Sequence, residues 1–182
     1  MARPLRLEIE DLRSLVEYDR AVFDRFVRRV RRLPWKAASR KRGIGHESLF
    51  ATLVHVLNVR EVWFAYIIRG RNSDEELEAL FQETRRHPSD WKEFDAYARD
   101  VWAEVDSTVA AMTPAKAARP VSVFWMAGRY TVRDAFLQAS FEQAHHLGEI
   151  IGALWQDDVR PPDMTWIDVR RSLASRRSAR RA

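Results

Sequence analysis

Apolar positions along this chain recur three and four residues apart rather than every second residue, so the pattern predicts helices. The first stripe is Leu12, Leu15, Val16, Phe23, Phe26, Val27 and Val30, spanning about Glu10 to Leu33. Asp11, Glu17 and Asp19 precede a basic far end, Arg28 to Arg32, the polarity a helix dipole favours. Pro34 stops it. After the basic, glycine-containing segment KAASRKRGIG, a second helical pattern runs from about His46 to Arg69 and ends at Gly70, where a capping glycine belongs. Ser73 and Glu76 form a capping box for a shorter helix ending near His87 and Pro88. Ser89 opens another, to about Met112, with Trp91, Phe94, Tyr97, Val101, Trp102, Val105 and Val109 as its stripe. The periodicity changes in PVSVFWMAGRY, where β-branched and aromatic residues flank Ala127-Gly128; this predicts a short hairpin or an extended arm. A last long helix follows from Thr131, with Asp134 as its capping acid, to about Gln156, before Pro161-Pro162.

Four long helices, one short extra helix and one arm before the last long helix describe an all-α protein built as a four-helix bundle. The 182 residues, 46% of them hydrophobic, suffice for one core, so residues 1–168 read as one domain. The formal charge of +5 invites a nucleic-acid reading. Six arginines without an acid in residues 170–182 carry it: without them 25 basic residues face 26 acidic ones. The body is therefore neutral, and residues 169–182 read as a basic, mobile tail with no aromatic residue for stacking on bases. Nucleic acid is disfavoured as a partner.

With no cysteine, a disulfide framework, a thiolate metal site and a cysteine nucleophile are all excluded. The N-terminus lacks a secretory h-region, and Thr52, His55, Asn58, Arg60 and Glu61 interrupt the longest apolar stretch, Leu49 to Ile68. A cytoplasmic protein without a membrane span is expected.

Any metal must rest on His, Asp or Glu. In the last helix, SFEQAHHLGEI places Glu142 three residues before His145 and four before His146, spacings that stack side chains on one face. His55 interrupts the apolar run FATLVHVLNV, and a buried imidazole needs a partner. If the second and last helices are neighbours, His55, Glu142 and His146 present three ligands with a position left open. The same three side chains also suit a metal-free hydrogen-bonded core cluster in a non-catalytic binding or oligomerisation module. His46 and His87 have no evident partner and read as solvent-facing.

The block LFATLVHVLNVREVWFAYIIRG, with its mid-helix His55 and later Trp63, resembles the second helix of the DinB/YfiT-like superfamily of metal-dependent enzymes. YTVRDAFLQASFEQAHHLGEIIGAL resembles that family's final helix, whose usual string is H-x-x-H-H-R-G-Q. The resemblance covers roughly residues 10 to 165. It implies metal ligation by His55 and His146, with Glu142 where most members carry histidine, Leu147 for the common arginine and Glu149 for the common glutamine. His145 matches a frequent family histidine that is not credited with coordination, and reads as supporting or structural. What the resemblance further implies is one divalent ion, zinc or nickel, that activates a low-molecular-weight thiol, for S-transfer or isomerisation, or a water for hydrolysis on a small-molecule substrate. It also implies a homodimer. Trp125, in the arm, could line a pocket or pack against a second subunit, and the basic loop around Lys36, Arg40, Lys41 and Arg42 could dock an anionic thiol.

Overall fold

The computed structural model describes residues 8–43, 45–70, 75 and 87–179; the expected short helix from Ser73, with Glu76 as its capping acid, lies outside the described residues. The elements are α1 (Ile9–Arg31), α2 (Trp35–Ser39), α3 (Leu49–Glu61) continuing as a π-helical segment (Val62–Ile68), α4 (Trp91–Ala110), α5 (Pro114–Ala117), β1 (Pro120–Val123), β2 (Met126–Thr131), α6 (Val132–Gln156) and α7 (Trp166–Ala179). Apart from one hairpin, the described structure is all-α, as the periodicity predicts. By length and composition Leu49–Ile68 could cross a membrane, but 67% of it is buried, the state of a core helix.

Helix starts follow their caps. Asp90 stands extended and its carboxylate accepts from Glu93 N, while Glu93 accepts from Ser89 N and Oγ at 2.8 Å. The Ser89 N–H is the main reason the Glu93 carboxyl is held below the usual carboxylate range. At α6, Thr131 N donates to Asp134 Oδ2 at 2.7 Å and Asp134 N donates back to Thr131 Oγ1 at 3.3 Å. This is the reciprocal box predicted from sequence.

The chain forms two compact units, and the division falls inside α1, α3 and α6. One comprises the chain up to Arg13 with Val54–Gln143. Its core holds Leu57, Phe64, Ile67, Phe94, Tyr97, Val105 and Phe136. Tyr97 Oη bonds Asn58 Oδ1 at 2.6 Å and Glu61 Oε2 at 2.7 Å, joining α4 to α3. Arg60, 1% exposed, lies against the Phe64 and Trp102 rings and donates to Gln143 Oε1 at 2.9 Å. Arg119 donates to the carbonyls of Ile67 and Ile68, the end of the π segment. Gly70, at φ +72°, leaves the room this needs: a Cβ there would lie 2.9 Å from Arg119 Nη1.

β1 and β2 pair antiparallel, with Pro120 opposite Thr131, Val121 opposite Tyr130 and Val123 opposite Met126. The arm is thus a hairpin, but its turn is Phe124-Trp125 rather than Ala127-Gly128. Gly128 instead lies inside β2 at φ +133°, where a Cβ would sit 2.8 Å from Tyr130 Oη.

The other unit comprises Ser14–Leu53 and Ala144–Ala182. Phe23, Phe26, Val30, Leu53, Leu147, Ile150 and Leu154 fill its core. Here the structure departs from the tail expected after residue 168, since α7 is a helix. Two anchors suffice to hold it: Val169 is fully buried, and Trp166 stacks on Tyr18, whose hydroxyl donates to Met164 O at 2.5 Å. Asp163, capping Thr165, starts the helix.

Candidate metal centre

The centre is built from the turn before α3 and the second half of α6. Gly43, Gly45 and Glu47 have positive φ, +65°, +52° and +69°. The turn is closed by Arg42 N donating to Glu47 O at 2.7 Å, and Ser48 N donates to His46 O at 2.9 Å. Ser48 then caps α3, its hydroxyl accepting from Ala51 N at 3.0 Å. The base of the turn is clamped by Asp157, which accepts from Arg40 at 2.5 Å and Arg42 at 2.6 Å. Arg42 is the principal reason that the Asp157 carboxyl is held below its usual range. Lys41 pairs with Glu47 at 3.0 Å. The three cations at 40–42 are therefore engaged with carboxylates.

This turn delivers His46 to α6. Its ring centroid lies 5.1 Å from that of His146, edge to face. His146 is 7% exposed, and its Nδ1 is 2.8 Å from Glu149 Oε2, one helical turn on. His145 is mostly exposed, with Nε2 3.5 Å from the other oxygen, Glu149 Oε1. One carboxylate thus serves both imidazoles. Gly45 makes room for it: a Cβ at that position would stand 2.7 Å from Glu149 Oε2 and 3.2 Å from Thr52 Oγ1.

His55 is half-buried on α3. Continuous helical geometry puts it on the face that carries Ser48 and Thr52, seven and three residues earlier. Ligand atoms of His145, His146 and Glu149 lie within 4.8 Å of one another. This cluster, with the His46 ring beside it, can hold a metal ion. Glu142 is not a member of it. It is half-buried on α6 and accepts from Gln138 Nε2 at 2.7 Å. His87 is exposed, as expected.

Of the residues singled out from sequence, His145 sits beside His146, and Glu142 accepts from Gln138. Sequence reasoning missed His46, assigned to solvent, and Glu149, seen only as a replacement for glutamine. Both left a signal: two glycines just ahead of His46, and a carboxylate three residues after His146.

The donor set suits a transition-metal ion. Imidazole nitrogens are ligands for zinc and nickel, three protein ligands leave a position open, and a carboxylate behind a ligating histidine is the usual orienting partner. Residues 18–150, well over half the chain, match the family model of the DinB superfamily, and the chain belongs to it. No curated protein matches it.

Proposed function

We propose that this member of the DinB superfamily is an enzyme that holds one divalent ion, zinc or nickel, on His46, His55 and His146 and turns it on a low-molecular-weight thiol or a water. The His46 and His146 rings, 5.1 Å apart, with Glu149 2.8 Å from His146, carry the reading, and His55 is the third ligand that the family resemblance implies. Such a set suits zinc or nickel better than calcium or magnesium, which take oxygen ligands. When bound, the ion supplies Lewis acidity that lowers the pKa of a thiol or water reaching it.

The chain's own side chains do the remaining work. Glu149 accepts the Nδ1 proton of His146, which fixes the tautomer and leaves the Nε2 lone pair for ligation. His145, exposed and 3.5 Å from the same carboxylate, offers a proton route between Glu149 and solvent. The half-buried placing of His46 and His55 limits water around the centre without sealing it.

The test is elemental analysis of untagged protein grown in metal-replete medium. One equivalent of metal is expected, retained in Glu142→Ala and lost in His46→Ala, His55→Ala and His146→Ala. Folded parent protein without metal would overturn the reading and leave a hydrogen-bonded acid–imidazole cluster in a binding module. Loss in Glu142→Ala with retention in His46→Ala would restore Glu142 as a ligand. Cobalt-substituted protein titrated with mercaptoethanol separates the two substrates: sulfur-to-cobalt charge-transfer absorption supports the thiol, and its absence supports water.

A further inference from the structure

We propose that the cavity between the β1–β2 hairpin and the first half of α6 binds a small planar molecule, neutral or cationic, that carries a hydrogen-bond donor. The cavity measures about 300 Å³, the low end for small-molecule sites, which admits one or two fused rings and excludes a nucleotide or a peptide. Its walls are Trp63, Val123, Met126, Tyr130 and Phe141. Trp63 comes from the π-helical segment Val62–Ile68, a rare helix form that is frequent at functional sites. Trp125 lies edge-on to Trp63 at 6.2 Å and Phe124 edge-on to Trp125 at 4.9 Å, so the hairpin turn sets further aromatic rings beside the cavity. Phe141 is 68% exposed, a large apolar area for a ligand to cover.

The polar wall selects the ligand's charge. Among the described residues that line the cavity Asp134 is the one that carries a formal charge, and none is a lysine or arginine. Its Oδ2 already accepts from Thr131 N and Oγ1, which leaves Oδ1 as an acceptor among the described residues. Gln138 gives one Nε2 hydrogen to Glu142 and adds its Oε1 as a second acceptor. A ligand that fills the apolar walls and brings a donor finds these two oxygens, whereas an anion meets a carboxylate. An aromatic amine matches; an aromatic acid does not.

The experiment is calorimetric titration of the full chain with 2-naphthylmethylamine and 2-naphthoate. Saturable binding of the amine is expected, with the acid about tenfold weaker. Ser122→Trp, from an exposed β1 position that lines the cavity, should abolish binding with the melting temperature retained. Asp134→Asn keeps a capping oxygen for Thr131 and should bring amine and acid close to parity. No amine binding up to about 1 mM, binding unchanged in Ser122→Trp, or the acid binding as well as the amine would each overturn the inference. So would a dimer dissociated by Ser122→Trp whose formation competes with the amine, which would assign the cavity to a second copy. The inference does not rest on the metal reading: amine binding should persist in His46→Ala even where that variant loses metal.

Discussion

Alanine placed at Gly43 and at Gly45 separates backbone strain from the support of His146. Both glycines are in the left-handed region, at φ +65° and +52°. An L-residue there costs about 1–2 kcal/mol, which lowers the melting temperature of a chain this size by roughly 2–8 °C. For Gly43→Ala that is the whole effect, because its new Cβ has no atom within 4 Å. For Gly45→Ala the new Cβ would lie 2.7 Å from Glu149 Oε2, the very atom that is 2.8 Å from His146 Nδ1. The carboxylate has to swing away, and losing the partner of a ligating histidine weakens metal binding about 10–100-fold. Thermal melts and zinc competition with a chromogenic chelator give both numbers. Gly45→Ala should melt no higher than Gly43→Ala and bind zinc more weakly. Equal affinity losses would show that the turn itself, not the Glu149 contact, positions the ligands, and a Gly45→Ala protein binding zinc like the parent would refute the reasoning outright. In a Glu149→Ala background the contact is already gone, so Gly45→Ala should add no further loss.

Glu149→Gln keeps an oxygen to accept from His146 but removes the charge, so its zinc affinity should fall less than that of Glu149→Ala; equal losses would mean that charge is what matters. Tyr97→Phe leaves the buried Asn58 oxygen without its 2.6 Å bond, and urea melts should show a loss of about 1–3 kcal/mol at unchanged m. The Asp157 carboxyl is held low chiefly by the Arg42 hydrogen bond, so its contribution is complete above the ordinary aspartate pKa of about 4 and is lost as pH falls through the lower folded value. The melting-temperature gap between parent and Asp157→Asn should therefore narrow from about pH 7 to about pH 2; a constant gap means the pair does not titrate as its geometry implies.

What could be read from the chain was what repeats along it. Leu12 to Val30 on α1 and Phe94 to Val105 on α4 announce themselves by period, and the Thr131–Asp134 box by spacing. α7 escaped because a helix held by Trp166 and Val169 needs no stripe. The hairpin turn escaped because Ala127-Gly128 carries the stronger turn signal, whereas Gly128's freedom is spent on Tyr130 packing back over β2.

The centre shows the limit more sharply. Relative to His146, Glu142 is four residues before and Glu149 three after, and both spacings place a carboxylate on the same face of α6. Spacing cannot choose between them. Gln138 donates to one oxygen of Glu142, and the missing side chain at Gly45 clears the space that Glu149 fills beside His146. His46 was harder still to place, because a loop residue has no period and its direction depends on two left-handed glycines and on Asp157 gripping Arg40 and Arg42, 115 and more residues away in sequence. A ligand carried on a turn is thus predicted by what pins the turn. In this chain the acid that does so, Asp157, lies at the end of the helix that bears His146, so its substitution should loosen His46 before it disturbs any helix.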